Sequence, residues 1–159
     1  MQDDEETTMN KEKFEELLAF AIEQEQAAVE FYTELAGKVT DDHVKHTLLE
    51  FANQERGHKA KLEAVRQGRK LGAVAKTNVP DLKIADYLVE VEVTPDLSFQ
   101  GALIIAMKKE KAAYRLYMDM AAAAPDKDTR DLFLFLAREE ANHKLNFEVQ
   151  YDDLIYQEN

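Results

Sequence analysis

The sequence contains no cysteine, which excludes disulfides, thiolate metal sites and the four-cysteine iron site of an attached electron-transfer module. Any electrons the protein uses must come from another molecule. No apolar run approaches the roughly eighteen residues needed to span a bilayer. The N-terminus is acidic instead of basic and then apolar, so no secretory signal is read and a cytoplasmic location is expected. Basic residues are also short: 20 Lys and Arg against 32 Asp and Glu leave a formal net charge of −12. Nucleic acid and anionic membrane surfaces repel such a chain, whereas cations are attracted to it. Glycine occurs five times and proline three, and most of these residues fall between apolar repeats, where they act as punctuation.

What is abundant favours helix. A length of 159 residues rich in Ala, Leu, Glu and Lys suits one all-α domain with a substantial core. Residues 1–9 (MQDDEETTM) are acidic and lack apolar periodicity, so they read as a solvated, disordered tail ahead of an Asn10 cap. The stripe Phe14, Leu17, Leu18, Ala21, Ile22, Glu25, Ala28, Val29, Tyr32 and Leu35 predicts a first helix, with Gly37 as its stop. A second helix starts near Asp41 or Asp42, carries Val44, Leu48, Phe51, Glu55, His58, Leu62 and Val65 on one face, and ends at Gly68. Residues 69–97, punctuated by Gly72, Pro80 and Pro95, are too long for a tight turn and read as a crossover. Within them, Asp81 caps a short helix through Tyr87, and Leu88 to Thr94 is extended chain without a partner strand. Ser98 caps a third helix with Leu103, Ala106, Met107, Glu110, Ala113, Tyr114, Tyr117 and Met120 in its stripe. After Pro125 a fourth helix carries Phe133, Leu136, Glu140, His143, Phe147 and Leu154. The expected architecture is therefore a four-helix bundle at 10–159, made of helix pairs at about 10–68 and 98–157 joined by one long crossover, as in ferritin-like bundles.

Two Glu-x-x-His pairs, Glu55/His58 and Glu140/His143, stand inside these stripes, each downstream of a striped Glu, Glu25 or Glu110. Adding 85 to 25, 55 and 58 gives 110, 140 and 143. The offset extends to neighbours: Glu25-Gln-Ala-Ala-Val-Glu-Phe-Tyr32 aligns with Glu110-Lys-Ala-Ala-Tyr-Arg-Leu-Tyr117, and Ala52 and Lys59 match Ala137 and Lys144. Each half is a hairpin that cannot bury its stripe alone, so the halves should face each other about a pseudo-twofold axis.

Residues three apart share a helix face, so Glu-x-x-His offers a carboxylate oxygen and an imidazole nitrogen to one small volume. Four buried carboxylates repel one another, and two divalent cations cancel their charge. Oxygen and nitrogen ligands without sulfur suit iron or manganese, and zinc is also accepted. The candidate metal ligands are Glu25, Glu55, His58, Glu110, Glu140 and His143, with Glu25 and Glu110 terminal, Glu55 and Glu140 bridging, and one histidine for each ion. Tyr32 and Tyr117 lie two turns beyond Glu25 and Glu110, packing in the core with hydroxyls near the ligands. His43 and His46 read as solvated, and Lys108-Lys109 and Glu139-Glu140 as ordinary charged faces.

With these segments in place, the chain resembles the rubrerythrin family of the ferritin-like superfamily over about Phe14 to Tyr151. The resemblance implies a non-haem di-iron oxidoreductase that reduces hydrogen peroxide or dioxygen in oxidative-stress defence, cycling between diferrous and diferric states. It also implies an external donor such as a rubredoxin, and a homodimer. Rubrerythrins typically carry a C-terminal rubredoxin domain and a further carboxylate near the third-helix ligand. Here there is no cysteine, and Met107 and Ala113 occupy the positions three before and three after Glu110. That departure keeps a second expectation open, ferritin-like iron binding, oxidation and storage.

Overall fold

Four helices carry the chain: α1 (Gln2–Lys38), α2 (Asp42–Gly68), α3 (Phe99–Ala123) and α4 (Lys127–Glu158). The structure, a computed structural model, describes residues 2–68, 84–89 and 98–158, and among them there is no strand. Three of the helices begin at a short polar side chain that takes an otherwise orphaned backbone N–H, as helix N-termini require. Asp41 accepts from the N–H groups of His43 (2.9 Å) and Val44 (3.1 Å), Ser98 from that of Gly101 (3.0 Å), and Asp126 from that of Thr129 (2.8 Å).

The first helix differs from expectation at both ends. It starts at Gln2 and not after an Asn10 cap, so residues 2–9 are helical backbone and not an irregular tail. No glycine or proline interrupts that stretch, and backbone propensity alone lets a long helix run back through polar sequence. At the other end Gly37 lies inside the helix, which stops at Lys38. No described glycine has positive φ, so the chain reverses without a left-handed glycine, through 39–41 and the Asp41 cap. Of the crossover, Asp81 lies outside the described residues, as does most of Leu88 to Thr94. The described part contains a 3-10 turn, Ile84–Tyr87, whose Tyr87 is buried and donates its hydroxyl to Asp119 of α3 at 2.6 Å.

Helix α1 packs along α2 and α3 along α4, and the two hairpins meet through α1 against α3 and α2 against α4. The result is a four-helix bundle of two hairpins. Its apolar core is split into two clusters. One gathers Phe14, Leu18, Ala21, Leu62, Tyr117, Ala121, Phe133, Leu136 and Ala137, and the other Tyr32, Ala36, Leu48, Phe51, Ala52, Leu103, Ala106 and Phe147. The 85-residue offset exchanges them: Leu18, Ala21, Leu62, Phe133 and Leu136 in the first correspond to Leu103, Ala106, Phe147, Leu48 and Phe51 in the second. The internal duplication is thus expressed as a pseudo-twofold relation, with each hairpin contributing to both ends of the core. A polar layer lies between the two apolar clusters.

Candidate metal centre

Six ionisable side chains form that layer, and all are buried: Glu25, Glu55, His58, Glu110, Glu140 and His143 are between 1 and 3 % exposed. Helix periodicity places them there, since each occupies a position in the same stripe as the apolar core residues. Candidate ligand atoms of Glu25, Glu55, His58 and Glu140 lie within 4.8 Å of one another, and so do those of Glu55, Glu110, Glu140 and His143. The two quartets overlap in Glu55 and Glu140. Both imidazoles turn Nδ1 inward. His58 Nδ1 lies 2.8 Å from Glu140 and 3.4 Å from Glu55, and His143 Nδ1 lies 3.1 Å from Glu55 and 3.6 Å from Glu110.

The hydroxyl of Tyr32 donates to Glu110, and that of Tyr117 donates to Glu25. Each tyrosine therefore serves the carboxylate of the opposite hairpin, a reciprocity that follows from the pseudo-twofold relation. Burial raises both phenol pKa values well above the usual range, and the neighbouring carboxylates raise them further. The phenols stay neutral and remain donors.

Without a cation the layer can only be stabilised by taking up protons. Burial, reinforced by the charge of Glu55, raises Glu25 well above the carboxylate range. Burial and the charges of Glu110, Glu55 and Glu25 do the same for Glu140. Burial alone would also raise Glu55, but the nearby imidazoles of His143 and His58 outweigh it and hold that carboxyl low. Burial lowers the histidines, yet their carboxylate partners overcome this: His58 is pushed up to about 9 and His143 to about 10. Even so, Glu25 Oε2, Glu55 Oε1, Glu110 Oε2 and His143 Nδ1 are buried with no hydrogen-bond partner. Each such atom costs about 1–3 kcal/mol, more when charged. Divalent cations would supply the missing partners and balance four carboxylates against two neutral imidazoles, so the residues present fit a metal centre.

A cleft of about 40 Å³ reaches Glu25, Glu55, Glu110 and Glu140 and is walled by Tyr32, Tyr117, Phe20, Tyr87 and Lys109. It admits something the size of a few water molecules and no organic substrate. Neither histidine lines it, so the cleft opens on the carboxylate side of the layer.

Other positions depart from their sequence-based reading. His43 and His46 are exposed, as expected, and His46 pairs with Glu50 at the surface (3.4 Å). Lys109 is no ordinary charged face: it reaches the cleft, burial lowers its pKa, and its Nζ lies 4.6 Å from the centre of the Phe31 ring. Glu139 turns toward His58, with Oε1 4.0 Å from Nε2. Gln54, not singled out from the sequence, approaches His143 Nε2 at 2.6 Å. The offset itself was the available signal, because 54 plus 85 is 139. Met107 and Ala113 pack against the two apolar clusters, one on each, and place no further carboxylate beside Glu110.

A four-helix bundle of two hairpins enclosing a buried layer of carboxylates and imidazoles defines a ferritin-like protein with a candidate metal centre. The rubrerythrin family profile matches residues 16–151, and the chain belongs to the rubrerythrin family. Its fold is similar to that of a solved hypothetical protein from Pyrococcus furiosus, with TM-score 0.71 and 24% identity over 91% of each chain. Among curated proteins none matches. The rubrerythrin family binds di-iron, and the Glu and His groups gathered here can bind a metal.

Proposed function

We propose that the protein is a di-iron oxidoreductase that reduces hydrogen peroxide or dioxygen with electrons from a separate donor protein. The observation that carries this reading is the pair of overlapping quartets, which suits two ions bridged by Glu55 and Glu140 and held terminally by Glu25, Glu110, His58 and His143. Two ferrous ions bound there would supply the two electrons that, with two protons, convert hydrogen peroxide to two waters. The chain's own groups set the conditions for that chemistry. Tyr32 and Tyr117 hold Glu110 and Glu25 by hydrogen bonds across the hairpins, the apolar clusters exclude bulk water above and below, and the cleft restricts access to small oxidants. The absence of cysteine leaves no thiolate iron site in this sequence to feed electrons inward, which is why a separate donor is required.

The test is stopped-flow oxidation of the anaerobic, iron(II)-loaded protein with hydrogen peroxide and, separately, dioxygen, followed by an external reductant. Rapid oxidation with repeated turnover is expected for one or both oxidants. Glu55→Ala and Glu140→Ala should abolish it, since each removes a group common to both quartets. Oxidation that halts after one cycle while ferric iron accumulates in a large assembly would instead identify an iron-storage protein.

A further inference from the structure

The internal duplication makes the two histidines equivalent on the cluster side, but not behind them. Since both rings direct Nδ1 into the cluster, Nε2 faces outward and meets the residue that precedes the shared glutamate of the opposite hairpin. Behind His143 that residue is Gln54, whose Oε1 accepts from Nε2 at 2.6 Å. Behind His58 it is Glu139, whose Oε1 lies 4.0 Å from Nε2. The same duplicated position therefore carries a neutral amide on one side and a carboxylate on the other. The flanks differ as well. Phe51 stacks on His143 with centroids 4.1 Å apart, whereas His58 is met edge-on by Phe135 at 6.4 Å.

The group behind a ligating imidazole fixes its tautomer and raises its basicity, and changing it alters metal affinity by about 10- to 100-fold. At 4.0 Å Glu139 makes no hydrogen bond to His58, so what it adds is charge: a carboxylate behind the ring favours the cation held in front of it, which the neutral amide of Gln54 does not do. Glu139 is partly exposed, with 29 % of its side chain accessible, which weakens its charge without cancelling it. Resting on the di-iron reading above, we infer that Gln54 and Glu139 are positioning residues that make the two metal positions inequivalent. The His58 position, backed by Glu139, binds ferrous iron more tightly and fills first.

The test is anaerobic titration of the metal-free full-length protein with ferrous iron by calorimetry. The wild type should bind in two steps whose affinities differ by about 10- to 100-fold. Glu139→Gln should weaken the tighter step and close the gap, whereas Gln54→Glu should close it from the other side by strengthening the weaker step. A merely structural role for either residue would not produce effects of opposite sign. A single step of two equivalent ions in the wild type, or a gap that neither substitution moves, overturns the inference. Failure of the wild type to bind iron at all would overturn the metal centre on which it rests, a different and separately visible result.

Discussion

Removing one hydroxyl tests whether the tyrosines hold the carboxylates or merely fill space. In Tyr117→Phe the ring keeps its stack on Phe133, with centroids 6.3 Å apart and planes 12° from parallel, so apolar packing is conserved and only the donor to Glu25 is lost. The nearest other donor to Glu25 Oε1, His58 Nδ1, stands 3.7 Å away, beyond hydrogen-bond reach, and Oε2 is already buried without a partner. The loss should be about 1 kcal/mol when Glu25 is protonated and up to about 3 kcal/mol when it is ionised. For a chain of this size each kcal/mol moves the midpoint by roughly 2–4 °C, so the metal-free variant should melt about 2–12 °C below the wild type. Thermal unfolding followed by circular dichroism measures this directly. In the iron-loaded protein a cation takes over the charge of Glu25, and the difference should shrink. Tyr32→Phe, which removes the donor to Glu110, should behave alike. A metal-free Tyr117→Phe protein that melts with the wild type, or a loss that grows on iron loading, would refute the account of the buried layer.

Two further outcomes follow from the same charges. The protein should bind about two divalent ions per chain by elemental analysis, and chelation should lower the melting temperature by roughly 10–20 °C at metal concentrations a hundredfold above Kd; a folded protein holding none or one, or an unchanged midpoint, would contradict this. The pH dependence should also change with metal. In the metal-free protein His58 and His143 titrate near 9 and 10, above the usual value of about 6.5. Their contribution to stability is therefore complete below about pH 6.5 and is lost as pH rises through 9 to 10. The raised Glu25 and Glu140 act in the same direction from the carboxylate range upward, whereas Glu55 acts oppositely, its contribution being lost as pH falls below that range. Urea unfolding of the metal-free protein should accordingly show stability falling between pH 7 and 10. Iron binding near pH 7 should release protons, read as a buffer-dependent heat, and the pH slope above 7 should flatten once the imidazoles are neutral ligands.

Much of the fold and the convergence of the six groups was legible because helix stripes and a constant offset are both one-dimensional signals. Ser98 was legible as a cap for the same reason, since a cap acts within three residues of itself, and the start of α2 was legible to within Asp41 or Asp42, of which Asp41 proves to be the cap. What escaped was set in three dimensions. That Tyr32 would reach Glu110 and not a neighbour in its own hairpin depends on how the hairpins rotate against each other, which no spacing within one helix encodes. Glu139 read as an ordinary charged face and Gln54 was not singled out, because both sit one position off the stripe, and only the crossing of α2 with α4 brings them behind the imidazoles. The start of α1 at Gln2 escaped because helix without an apolar face leaves no period to read.

Each quartet takes three groups from one hairpin and a single group from the other: Glu140 completes the set of Glu25, Glu55 and His58, and Glu55 completes that of Glu110, Glu140 and His143. Neither hairpin can therefore keep a whole quartet to itself, and parting the hairpins dismantles both at once. Fraying of one helix end leaves this shared middle untouched. Ions held there could leave singly only through the narrow cleft on the carboxylate side, whereas parting the hairpins would release both together, so that loss of the bundle and loss of its metal would be one event.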